Sequence, residues 1–146
     1  TQLAAAVTSR TKAILPVHIH GHPADMNAIL SFAAMRDIPV VCDACEAHGT
    51  LYRGRQVASM GTLSCFSFYP TKNLNALGDA GGIVTDDEEL AERLRMLRQH
   101  GWDHRFHSAF ASMNSRMDEI HAAVLDALRL VPRAHSLLLV DLAGLK

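Results

Sequence analysis

Residues 13–44 read AILPVHIHGHPADMNAILSFAAMRDIPVVCDA. Residues 13–19 are apolar and β-branched enough for a buried strand, which runs out near Gly21. Pro23 leads into a segment whose apolar residues Met26, Ile29, Leu30 and Ala33 recur at helical spacing. Asp25 stands where the helix dipole favours an acid. Residues 38–42 form a continuous apolar run, the pattern of a strand covered on both faces of a parallel sheet. Strand, helix, strand in that order is a βαβ unit, which predicts an α/β fold.

Downstream, residues 49–61 are polar and glycine-punctuated, and Arg53-Gly54-Arg55 predicts the turn of a short hairpin. Residues 63–68 are a third strand. Residues 74–82 form a glycine-rich loop, and a fourth strand follows over 82–85. Asp86-Asp87-Glu88-Glu89 opens a helix over ELAERLRMLRQH, with Gly101 as its stop. Residues 102–113 read as loop. Ser115 to Asp118 has the spacing of a capping box with Asp in place of Glu. Met117, Ile120, Val124 and Leu128 then predict a long helix to about Leu130, which Pro132 ends.

With 146 residues, 49% hydrophobic and 20% charged, the chain fits one globular domain with a real core. A net charge of −1 with dispersed basic residues gives no nucleic-acid surface. No signal peptide and no bilayer-length apolar run is present, so the expectation is a soluble cytoplasmic protein outside any membrane. Three cysteines do not make a disulfide framework. Cys42 and Cys45 lack the second pair of a zinc ribbon, and Cys42 lies in a strand instead of at a helix start, so buried inert thiols are expected. His18, His20 and His22 alternate as strand-borne metal ligands would, yet Gly21 and Pro23 break the strand among them; no metal is expected. The first turn, HIHGHPAD, lacks the glycine pattern of a dinucleotide-binding domain.

Residues 64–73, SCFSFYPTKN, carry the chemistry. An apolar strand delivers Ser67, and then Lys72 in the loop beyond its end. Alone, Lys72 reads as a surface lysine after a Pro-Thr turn. A partly desolvated amine at a strand end is also what Schiff-base chemistry with an aldehyde cofactor needs. Asp43 ends the second strand, where open α/β sheets bind ligands. Its carboxylate suits a protonated pyridine nitrogen as well as it suits capping the next turn.

Residues 41–87, VCDACEAHGTLYRGRQVASMGTLSCFSFYPTKNLNALGDAGGIVTDD, resemble the core of the DegT/DnrJ/EryC1/StrS-type sugar aminotransferases. These are fold-type I enzymes dependent on pyridoxal 5'-phosphate that aminate keto-sugars on nucleotide carriers. The family pattern is roughly D-A-A-(Q/H/E)-A-x-G, a basic turn, F-S-F-x-x-x-K and G-(D/E)-G-G. TKAILPVHIHGHPADMNAI upstream and NSRMDEIHAAVL downstream also match, so the resemblance spans residues 1 to about 128.

The resemblance implies part of a fold-type I large domain over residues 1–130, a mixed, mainly parallel sheet flanked by helices. Residues 131–146 become a divergent or truncated lead into a small C-terminal domain. The chain lacks a start methionine and reads as a fragment. By the same resemblance, Lys72 is the catalytic, cofactor-bearing lysine and Asp43 pairs with the pyridine nitrogen. Ser67 binds the phosphate, Glu46 stands over the cofactor ring, and Asn114 reaches the phosphate of the neighbouring subunit of a homodimer. The implied substrates are glutamate as amino donor and a nucleotide-linked keto-sugar as acceptor, in polysaccharide or antibiotic biosynthesis.

Alternatives within the resemblance are an aminocyclitol aminotransferase or an aminohydroxybenzoate synthase. A sugar dehydratase of the family carries histidine in place of Lys72. A truncated, non-catalytic remnant that serves only for association is the rival of a different class. Departures from the pattern are Ala80 in Gly78-Asp79-Ala80-Gly81, with Asn75 and Ser112 where glycine is frequent; Ala80 is expected at a position that favours positive φ.

Overall fold

The computed structural model describes residues 2–129, and residues 131–146, expected to lead into a further domain, lie outside that range. Its centre is a three-stranded sheet of β1 (Val41–Asp43), β4 (Leu63–Ser67) and β5 (Gly81–Val84), in the order β1-β4-β5. β1 and β4 run parallel, with Val41 opposite Leu63 and Asp43 opposite Cys65. β5 runs antiparallel to β4, Ser67 facing Gly81.

The first expected strand is present only as two parallel bridges to this sheet, Ile14 with Val40 and Val17 with Asp43. Hydrogen bonds from Ile14 N–H to Pro39 O, Val41 N–H to Ile14 O, Asp43 N–H to Pro16 O and His18 N–H to Asp43 O keep the parallel pattern. The missing rung belongs to Pro16, which has no N–H to give. The segment is therefore a strand in direction and pairing, interrupted at its proline. With it the sheet is parallel, parallel, antiparallel, the mixed and mainly parallel arrangement expected.

α2 (Met26–Arg36) follows a short α1 (Gln2–Ala6), and Asp25 is its N-cap, accepting from Ala28 N–H at 3.5 Å. Met26 and Ala33 of α2 are buried with Ile14, Val40, Cys42, Ala44, Ala47 and Val57, and Ile29 and Leu30 pack against that cluster. Full burial of Met26 alone removes a side chain worth roughly 1.5–3 kcal/mol from water. Gly61 sits where the chain crosses β1; a Cβ there would stand 2.8 Å from Cys42 Sγ.

The expected hairpin is β2 (Leu51–Tyr52) and β3 (Arg55–Gln56), closed by Arg53 and Gly54 at φ 51° and 81°. Those left-handed values make the tight turn that matches strand twist. α3 (Glu88–Leu97) starts at Asp87, whose carboxylate accepts from Leu90 N–H at 2.9 Å. Three local expectations are corrected. Residues 102–113 are not all loop: β6 (Trp102–His104) and β7 (His107–Ser108) form a second hairpin. Among the described residues Ser115 makes no capping hydrogen bond; its N–H goes to Arg98 O, and α4 begins at Glu119 (Glu119–Arg129). Ile120, placed on the apolar stripe of α4, is 76% exposed. Among the described residues no helix is long and apolar enough to cross a membrane.

Candidate active site

Parallel pairing of β1 with β4 brings their carboxyl ends to one edge of the sheet, and the candidate residues follow from that. Asp43 is the last residue of β1, and its Oδ1 accepts from Cys45 N–H at 3.0 Å, fixing the carboxylate over the turn that follows. Ser67 is the last residue of β4, with Oγ accepting from Tyr69 N–H at 3.3 Å. The chain then turns through Tyr69 to Lys72, closed by Lys72 N–H to Tyr69 O, and returns to the sheet where Ala76 N–H meets Phe68 O. This closed loop carries the lysine back over the strand ends.

Lys72 Nζ lies 3.1 Å from Glu46 Oε1, its side chain only 21% exposed. The other carboxylate oxygen, Oε2, takes both the backbone N–H and ring Nδ1 of His20, each at 3.0 Å. His20 has φ 52°, a strained value for a non-glycine residue, and Glu46 holds it there. The His20 backbone bond first, and then Lys72, keep the Glu46 carboxyl below its usual range.

Beneath lie a buried and a half-buried histidine. His18, 1% exposed, accepts from Ala24 N–H on Nδ1 at 3.2 Å, which leaves its proton on Nε2, a buried atom without a partner among the described residues. Burial lowers its pKa against the opposing pull of Asp43. His48 packs between Phe66 and Phe68 with ring centroids at 5.3 and 5.7 Å. Its pKa is also lowered, by burial first, while the Lys72 charge works in the same direction. Cys45 completes the wall; burial, aided by Asp43, pushes its thiol up to about 11, so it stays protonated at neutral pH.

Lys72 and Glu46 thus form one contact pair, and Asp43 and Ser67 end adjacent strands at the same edge. Asn114 stands apart. It bridges Gln99 near the end of α3, is exposed, and turns Oδ1 to Arg116 N–H; among the described residues no hydrogen bond links it to the other four. The contact of His20 with Glu46 was missed in sequence, since nothing local ties residue 20 to residue 46. Ala80 is not among the left-handed residues of the loop; Leu77, at φ 58°, is. Gly78 is needed for a different reason, because a Cβ there would overlap the His121 ring of α4.

An amine, a carboxylate and a hydroxyl at one sheet edge are the donor set for the aldehyde, pyridine nitrogen and phosphate of pyridoxal 5'-phosphate. The partly buried Lys72 and the fixed Asp43 carboxylate fit that group.

A family model described as the DegT/DnrJ/EryC1/StrS aminotransferase family matches residues 1–131. The dTDP-3-amino-3,4,6-trideoxy-alpha-D-glucose transaminase of Streptomyces venezuelae is 51% identical over 120 residues, covering 82% of this chain and 32% of the relative. The solved structure of DesV from S. venezuelae superposes with a TM-score of 0.85 at 47% identity, over 92% of this chain and 36% of that one. An E. coli GDP-4-keto-6-deoxy-D-mannose-3-dehydratase with bound hydrated PLP gives a TM-score of 0.79 at 29% identity, over 90% and 39% of the two chains. The chain thus spans about a third of the length of the curated relative matched. With the family model matching residues 1–131 of its 146, this chain belongs to the DegT/DnrJ/EryC1/StrS aminotransferase family.

Proposed function

We propose that the protein carrying this chain is a pyridoxal 5'-phosphate-dependent aminotransferase, moving an amino group from glutamate to a keto-sugar on a nucleotide carrier. The observation that carries the reading is Lys72, drawn into the carboxyl edge of a parallel strand pair and held by Glu46 at 3.1 Å. Its presence also speaks against the family's dehydratases, which have histidine there. Close structural likeness extends to a dehydratase, so overall fold alone does not discriminate.

When bound, the cofactor supplies an aldehyde and an electron-accepting ring. Lys72 Nζ would bind the aldehyde and later accept the proton that the donor loses, returning it to the acceptor side. Asp43 would hold a proton on the pyridine nitrogen. Ser67 Oγ would donate to the phosphate. Glu46 keeps the lysine aimed inward, and Phe66, Phe68 and His48 exclude water from the strand end behind it. In this reading residues 1–130 are part of the large domain and 131–146 lead toward the small one. The working enzyme is a cytoplasmic homodimer, with Asn114 serving the neighbouring subunit's site.

Borohydride trapping tests the assignment. The protein is incubated with pyridoxal phosphate, reduced and digested, and the modified peptide is mapped by mass spectrometry beside Lys72→Ala. Label confined to Lys72 and absent from the variant is the expected result. Label scattered over surface lysines of a folded protein would overturn it.

A further inference from the structure

Away from the Lys72 site, the β6–β7 hairpin gathers three metal-ligating side chains. Asp103 Oδ1 lies 2.8 Å from Nδ1 of His104 and 2.8 Å from Nδ1 of His107. The two imidazoles stack with centroids 4.5 Å apart and planes inclined by 11°. One ligand atom from each residue lies within 4.8 Å of the other two, and all three side chains are exposed.

The backbone is what makes them converge. His104 pairs with His107 across the hairpin, and Trp102 pairs with Ser108, with a register irregularity between Trp102 and His104. In a regular strand, Asp103 and His104 would point to opposite faces. The irregularity re-aims Asp103 onto the histidine side, which is the usual effect of a bulge. Phe106 closes the turn at φ 67°, and Arg105 rests its guanidinium over the Phe106 ring at 4.9 Å. Among the described residues, Asp103 has only the two histidines as ionic partners.

We infer that Asp103, His104 and His107 form a binding site for a divalent transition-metal ion, with zinc as the natural occupant. Two imidazole nitrogens and a carboxylate oxygen are a common zinc donor set. Ligand atoms around a tetrahedral zinc ion stand about 3.3 Å apart, so an ion enters by opening the two 2.8 Å contacts of Asp103 with the histidines. The Nδ1 lone pairs lie in the ring planes, so metal binding turns the stacked rings until both Nδ1 atoms face the ion, and each neutral ring then carries its proton on Nε2. Three protein ligands leave one coordination position open to water or to a donor group from another molecule. The site is independent of the aminotransferase reading. It is also distinct from the sequence's more conspicuous His18-His20-His22 run, whose first member is buried and whose second is committed to Glu46.

The test is a zinc titration by calorimetry on tag-free protein, with no pyridoxal phosphate added. A parallel copper(II) titration follows the fluorescence of Trp102, the one tryptophan in the sequence, which lines the same shallow cavity as Asp103 and His104. One ion per chain is expected, together with saturable quenching of Trp102. Asp103→Asn and His107→Ala should each weaken binding at least about tenfold, with circular dichroism unchanged, and His22→Ala should leave it alone. Should His107→Ala fail to fold, His107→Gln and His104→Ala supply the same comparison. A protein that takes up no zinc, or a His104→Ala/His107→Ala double variant that binds as the parent does, would overturn the inference.

Discussion

Glu46 has one carboxylate oxygen on the Lys72 amine and the other on His20, so a single side chain ties the lysine loop to the turn after the first strand. Sequence could place Lys72, Asp43 and Ser67, because each stands at or just past a strand end and such ends are readable from apolar runs. It could not show Glu46 as the lysine's counter-ion, since a contact across 26 residues leaves no local signature. The half-buried His48 gives a measurable consequence at this scale. Its pKa lies below the ordinary 6.5, chiefly through burial, so the native protein keeps it neutral where the unfolded chain would protonate it. In that window the unfolded state binds more protons, and stability rises with pH. His48's contribution is therefore whole above pH 6.5 and is lost as pH falls from there through the lowered native value. His48→Phe, which fits the Phe66–Phe68 stack without ring nitrogens, should reduce the drop in Tm between about pH 7.5 and about pH 5.5. An equal drop in parent and variant would refute this assignment.

Side-chain hydrogen bonds help to hold the elements to one another, and Ser64 supplies one of them. Fully buried on β4, it donates from Oγ to Ala58 O at 2.7 Å, pinning the single helical turn Val57–Ser59 against the sheet. Ser64→Ala would leave that carbonyl without its partner and should cost about 1 kcal/mol, read as a lower urea midpoint with an unchanged slope. An unaltered midpoint would mean that water replaces the hydroxyl freely. Helices α2 and α3 and strands β1, β4 and β5 were legible because each combines a periodic or continuous apolar pattern with recognisable boundary residues. The β6–β7 hairpin was not. Its turn residues, Arg105 and Phe106, are not the glycine or asparagine that turn chemistry leads one to seek, although Phe106 adopts the left-handed backbone they usually supply. The α4 stripe misled for a related reason. Periodicity marked Ile120 as inward, whereas His121 is the residue that fills the space above Gly78.

At the scale of the whole molecule, the described residues leave an apolar row uncovered, Leu15, Val17 and Ile19 at 62%, 45% and 56% exposure, and the chain spans about a third of the curated relative's length. In the proposed dimeric enzyme, further protein would cover this surface and complete each site. Asn114 gives that idea a sharp test. In its own chain it pairs with Gln99 and has no hydrogen bond to Lys72, Asp43, Glu46 or Ser67 among the described residues. If it serves the opposite subunit, Lys72→Ala of one subunit and Asn114→Ala of the other fall in the same site of a mixed dimer and leave the second site whole. Each variant alone should be impaired, most severely Lys72→Ala. Unfolded together and reassociated, half of the dimers are mixed. Each mixed dimer has one site with an intact lysine from one subunit and an intact asparagine from the other. Transaminase activity should then recover to about a quarter of the parent value. If Asn114 acts only within its own chain, mixing produces no intact site and activity stays at the average of the two variants. Complementation above that average is therefore the measurement that separates a site shared between subunits from one built within a single chain.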